Sequence, residues 1–174
     1  MIWRRTTRFL IGSLAVLVAV FSMGGVAFAQ TLNLSQDKLD TIKSRCSNSQ
    51  FALEQIERRD AVSRINRGRA YDQLLRQISA FNSRFAYNKI SSPDLLQITS
   101  DIETAVDSFR SDYDTYDNDI TSALHTDCKN DPRKYYEHIV QARVDRAAIG
   151  TQVQVISDLT EKYRAALVIY QEGL

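Results

Sequence analysis

Turn-forming residues are scarce in this 174-residue chain. It holds two prolines, Pro93 and Pro132, and six glycines, of which only Gly68, Gly150 and Gly173 lie beyond residue 30. A sheet protein of this length reverses direction many times and draws on both residue types, so their scarcity argues against a β architecture and for helices. Histidine is equally thin. His125 and His138 stand alone, in no His-Glu-x-x-His arrangement, and no Cys-x-x-Cys-His occurs for haem attachment. Gly-x-Ser-x-Gly, a phosphate-cradling glycine loop and the dinucleotide fingerprint are also missing. The expectation is a protein that is not an enzyme and has no cofactor or metal.

Charge of one sign is lacking too. Lys and Arg total 22 against 21 Asp and Glu, leaving no global field to attract nucleic acid. The densest acidic run, Asp112 to Asp119, lacks the glycine and distal glutamate of a calcium loop, and Tyr113 and Tyr116 keep helical phase through it. It reads as a solvated helix face.

What is present begins with an export signal. Arg4, Arg5 and Arg8 form a positive start, Phe9 to Phe21 is an uncharged apolar run, and Ala27-Phe28-Ala29 is a small-x-small cleavage site. Residues 1–29 are therefore predicted to be a signal peptide, and 30–174 a single mature domain. Its removal takes away three basic residues and no acid, turning the mature chain slightly acidic. The predicted location is secreted or periplasmic; anchorage by an uncleaved signal is the minor alternative, since Phe9 to Ala29 is just long enough to span a bilayer.

In the mature chain, apolar residues recur at three- and four-residue spacing in three stretches, the mark of amphipathic helices. The first stripe runs Leu39, Ile42, Cys46, Ser49, Leu53, Ile56, Asp60, Ser63, Arg67, Ala70, Leu74, Ile78, Phe81, Phe85. It is poor from Asp60 to Arg67, where Gly68 suggests a kink. Ser92-Pro93-Asp94 and Asp131-Pro132 are helix starts, a cap followed by proline at the first helical position. The predicted helices cover about 35–88, 93–129 and 132–172. Two short connections fold them up, down and up into an elongated, coiled-coil-like antiparallel three-helix bundle.

Cys46 and Cys128 are the only cysteines, and in an exported chain they predict a disulfide. Straight helices folded about Ser91 would leave them about 12 Å out of line, so a kink near Gly68 or an irregular turn has to absorb the difference. Charge supports the same hairpin. Residues 57–76 are rich in arginine and 101–119 in acids, and the fold about Ser91 sets one against the other. Arg58, Arg59, Arg64, Arg67 and Arg69 are thus candidate partner-binding residues, with setting the register as their competing use.

The function expected is an exported structural or interaction protein that presents a long helical surface to a protein or envelope component. Self-association through Val144, Val155 and Val168 is a further expectation. The second reading is a holdase-like chaperone or anionic-polymer binder, in which the weak middle of the first helix opens to expose Leu74, Phe81 and Phe85.

Overall fold

A computed structural model describes residues 34–172; the predicted signal peptide lies outside them. The described residues are all-helical, with no strand among them. Four helices follow in order: α1 (Gln36–Ser44), α2 (Cys46–Tyr87), α3 (Pro93–His125) and α4 (Pro132–Glu172).

The single helix expected over 35–88 is divided, but at Arg45 rather than Gly68. Arg45 sits at φ −103°, ψ 8°, while its N–H still reaches Thr41 O and its carbonyl still accepts from Ser49 N. The backbone ladder therefore bends without parting. The bend separates a segment that packs on α4 from one that packs on α3. Gly68 lies inside a regular helix, and a Cβ there would meet nothing within 4 Å. Gly68→Ala is expected to raise stability by about 0.5–1 kcal/mol, because it removes backbone entropy from the unfolded chain without a clash. A lower urea midpoint in the variant would point to a strained helix at this position instead.

α2 stops in a Schellman motif: Lys89 N–H reaches Ala86 O and Ile90 N–H reaches Phe85 O at 2.9 Å. Lys89 takes the left-handed conformation, φ 60°, that glycine usually supplies at this site. Half-buried Ile90 packs on the core and secures the reversal. α3 then starts on Pro93 where the sequence predicts, but Ser92 before it is buried and its side chain makes no capping hydrogen bond. The helix ends at His125, short of the expected 129, because Thr126 is extended (φ −84°, ψ 127°). In the turn that follows, Asp127 Oδ1 accepts from Lys129 N at 2.9 Å and Asn130 N at 3.2 Å. These backbone N–H groups hold its carboxyl below the ordinary value. Asp131 Oδ1 accepts from Lys134 N at 3.2 Å and caps α4.

Cys46 and Cys128 meet as a disulfide, their Cα atoms 5.5 Å apart. The predicted misalignment is absorbed after α3 and not by a kink in α2. The 42 residues of α2 span about 63 Å and the 33 of α3 about 50 Å. The non-helical residues Thr126 to Cys128 supply roughly 10 Å more at the rise of extended chain.

Burial is shared unequally. α3 buries eleven side chains, α2 only Cys46, Leu53, Ile78 and Phe85. Along α4 the buried positions Tyr135, Ala142, Ile149, Ile156 and Tyr163 recur every seven residues, as do Leu95, Ile102, Phe109, Tyr116 and Ala123 along α3. α2 does not keep one repeat. Its inward face runs Cys46, Leu53, Asp60, then advances by four to Arg64, Tyr71, Ile78, Phe85. Beyond Asp60 the stripe read from the sequence holds at Leu74, Ile78 and Phe85 and fails at Ser63, Arg67, Ala70 and Phe81, which are exposed. A helix of 3.6 residues per turn drifts relative to a seven-residue repeat, and a four-residue step resets the face.

Candidate functional site in the seam between α2 and α4

α3 carries the core, and α2 and α4 each pack against it. Between themselves α2 and α4 are joined by polar bridges. Ser49 Oγ and the Tyr135 hydroxyl share a hydrogen bond of 2.7 Å. Near the other end the Tyr163 hydroxyl donates to Asn82 Oδ1 at 2.9 Å, and Asn82 Nδ2 donates to Thr99 Oγ1 at 2.8 Å. Between them lies Asp60.

Asp60 is one of the polar residues that breaks the apolar stripe of α2, and it faces inward with 14% of its side chain exposed. Arg146 Nε donates to its Oδ2 at 2.7 Å and Nη2 to its Oδ1 at 3.0 Å, a bidentate pair. The Tyr116 hydroxyl donates to Oδ2 at 2.7 Å, and the Tyr113 hydroxyl donates to the Asp60 backbone carbonyl. The Arg64 guanidinium lies 5.4 Å from the centre of the Tyr113 ring and donates to Asp114 at 2.6 Å. One carboxylate thus ties α2 to both neighbours. Burial, reinforced by the Asp60 charge, pushes the Tyr113 phenol up to about 12. Tyr116 is raised by burial and by its bond to Asp60. Both phenols stay protonated as donors across the physiological range. The arrangement ties three helices together through one carboxylate.

A second polar cluster lies between α3 and α4, and the sequence reading missed it. Asp145 is 8% exposed. Its Oδ1 accepts from Gln141 Nε2 at 2.9 Å, and its Oδ2 is buried with no hydrogen-bond partner among the described residues. Burial raises the Asp145 carboxyl above its ordinary value, and neighbouring Asp119 raises it further. His138 Nδ1 lies 3.8 Å from the far side of this pair, at Asp119 Oδ1. Because the folded state binds this proton more tightly than the unfolded one, the stability it contributes is present in acid. That stability is lost as pH rises through the raised value. Asp145→Asn is therefore expected to raise the melting temperature at neutral pH by a few degrees and to flatten the pH dependence in weak acid. A variant that melts lower than the parent at pH 7 would contradict this.

The candidate arginines do not form one patch. Arg58 pairs with Glu54 at 3.6 Å, and Arg64 is committed to Asp114. Arg59 and Arg69 are exposed, and Arg67 lines a cavity beside Asp60. The anticipated facing of basic and acidic segments is realised by two cross-helix pairs, Arg64–Asp114 and Arg110–Asp72 at 2.8 Å, the second with the signs reversed. Two residues of the acidic run have specific partners, Asp114 on Arg64 and Asp119 beside Asp145. His125 is exposed and His138 half-buried.

Three cavities follow one another along the seam. The first, about 270 Å³, is lined by Leu53, Ile56, Ile120, Ile139, Arg143 and Arg146 among others. The second, about 260 Å³, surrounds Asp60, Arg67 and Arg146. The third, about 130 Å³, lies between Leu74, Ile78 and Phe81 of α2 and Tyr163, Arg164 and Leu167 of α4.

No family model, curated protein or solved structure matches the chain. Among the described residues no three His, Cys, Asp or Glu side chains are grouped so as to hold a metal ion. No described helix is long and apolar enough to cross a membrane.

Proposed function

We propose that this protein is an exported, non-enzymatic interaction module of the cell envelope or extracellular space: an up-down-up, coiled-coil-like three-helix bundle that presents α2 and its seam with α4 to a protein partner. The supporting observation is the mismatch between the length of α2 and what it buries. A helix of 42 residues with four buried side chains exceeds the needs of its own core. Its outer face leaves Phe51, Val62 and Ile65 exposed by 64%, 58% and 51%. Most helical stability in proteins comes from packing, so so long and lightly buried a segment is best accounted for by contacts outside the chain. A disulfide pair suits an oxidising compartment, in keeping with the export signal read from the first 29 residues.

The test is site-specific photocrosslinking in the producing cell, with the probe placed in turn at Phe51, Val62, Ile65 and, as a control, at Glu103 on α3. One dominant adduct from the α2 positions and none from the control is the expected result. Equal background at all four positions would refute the reading. The second reading, a holdase-like chaperone or anionic-polymer binder, needs α2 to open near Gly68; suppression of aggregation by the purified protein, lost in Gly68→Ala, would support it.

A further inference from the structure

The occupant of the seam can be specified further, on the assumption that the protein is an interaction module. We propose that the α2–α4 seam docks an acidic amphipathic helix, laid along the bundle as a fourth helix. Three observations carry this. Three separate cavities follow one another along the seam, where residues 49–56, 60–67 and 74–81 of α2 face 139–146, 146–153 and 160–167 of α4, and we read them as stations of one groove that passes over the Asp60–Arg146 bridge. From Ser49 to Phe81 that groove is about 50 Å long, the length of a helix of roughly 30 residues, and far longer than a compact metabolite. Its floor is apolar: Leu53, Ile56, Ile120 and Ile139 in the first station, Ile149 and Val153 in the second, Leu74, Ile78 and Leu167 in the third. Amphipathic helices bind such grooves through anchors at three- and four-residue spacing.

The charge around the groove selects the partner's sign. Its charged lining residues are Arg67, Arg143, Arg146 and Arg164 against one carboxylate, Asp60. Asp60 is already bonded by Arg146 and Tyr116, and Arg164 is paired with Glu161 at 2.7 Å. Arg67 and Arg143 make no ion pair among the described residues and stand exposed on opposite lips, one on α2 and one on α4. A helix with glutamates flanking its apolar stripe would meet a guanidinium on either side, and a lysine-flanked helix would be repelled by both.

Two designed peptides of about 28 residues test the proposal. They share one leucine stripe and differ only in carrying Glu or Lys beside it. Each is dye-labelled and titrated by fluorescence anisotropy against the oxidised mature protein. The glutamate peptide is expected to bind at least about tenfold more tightly than the lysine peptide. Arg67→Glu combined with Arg143→Glu, both on exposed lips, should weaken the glutamate peptide by about tenfold or more and invert the preference, with an unchanged circular dichroism melt. Equal binding of the two peptides, no binding at about 0.5 mM, or indifference to the charge reversal overturns the proposal. So does concentration-dependent dimerisation in light scattering that the reversal abolishes, since the occupant would then be a second copy. A crosslinked partner on the outer face of α2, unaffected by the reversal, would sink this inference and leave the interaction-module reading standing.

Discussion

Replacing both cysteines, Cys46→Ala with Cys128→Ala, is expected to lower the melting temperature by roughly 12–20 °C, the largest single effect in the molecule. The bond closes a loop with a sequence separation of 82. In the chain-entropy account such a closure is worth about 4.5 kcal/mol, acting on the unfolded chain. Both sulfurs are buried, Cys128 completely, so a reductant under native conditions should act slowly and an unfolded chain should reduce at once. Position adds to the effect. The bond fastens the start of α2 where that helix has few other anchors, among them Leu53, the Ser49–Tyr135 hydrogen bond and a long one from Gln50 to the Thr126 carbonyl. In the alanine variant, α1 and the first turns of α2 should exchange amide hydrogens well before α3 does. A loss of only two or three degrees would mean that the unfolded chain is already compact at this end.

Second in size is the Asp60 bridge, where the two partners should respond unequally. Arg146→Met is expected to cost about 2–3 kcal/mol. It leaves a carboxylate with 14% of its side chain exposed and only the Tyr116 hydroxyl for company, and an uncompensated buried charge is expensive. Asp60→Leu should cost less, about 1–2 kcal/mol, because Arg146 is 55% exposed and can turn to water once released, leaving the buried Tyr116 hydroxyl as the one donor without its acceptor. Urea titration of the two single variants and the double variant gives the coupling directly. The account expects Arg146→Met to be the worse single change and the double variant to recover part of its loss. If Asp60→Leu proves the more damaging, the carboxylate is the better solvated partner and the bridge has been read backwards.

Much of the architecture is legible in the sequence because a few residues act locally. Pro93 and Pro132 can only stand at the first turn of a helix, and each does. The alternation that marks α3 and α4 survives because both keep a seven-residue repeat against each other. α2 misleads because its pattern is not self-sufficient. Asp60 looks like a flaw in an apolar stripe until Arg146, 86 residues away, is seen to bind it. The step of the inward face from Asp60 to Arg64 has no local signature, as both residues are charged. The bend at Arg45 is hidden for the same reason, since it follows from α1 leaning on α4. The early end of α3 is also set from a distance, by the need to bring Cys128 to Cys46. Asp145 was within reach of sequence reasoning: it falls between Ala142 and Ile149 on the apolar face of α4, where a charge demands an explanation.

α2 is a folded helix with far less burial than its neighbours, held by a disulfide and by polar bridges across its seam with α4. Hydrogen exchange followed residue by residue on the oxidised protein tests this most directly. The slowest amides should lie in α3 and in the facing turns of α4, with residues 57–72 of α2 exchanging at least about a hundredfold faster while still showing helical protection. Protection in that stretch equal to that of α3 would contradict the account, since α2 would then be as firmly packed as the rest and would have no surface to spare.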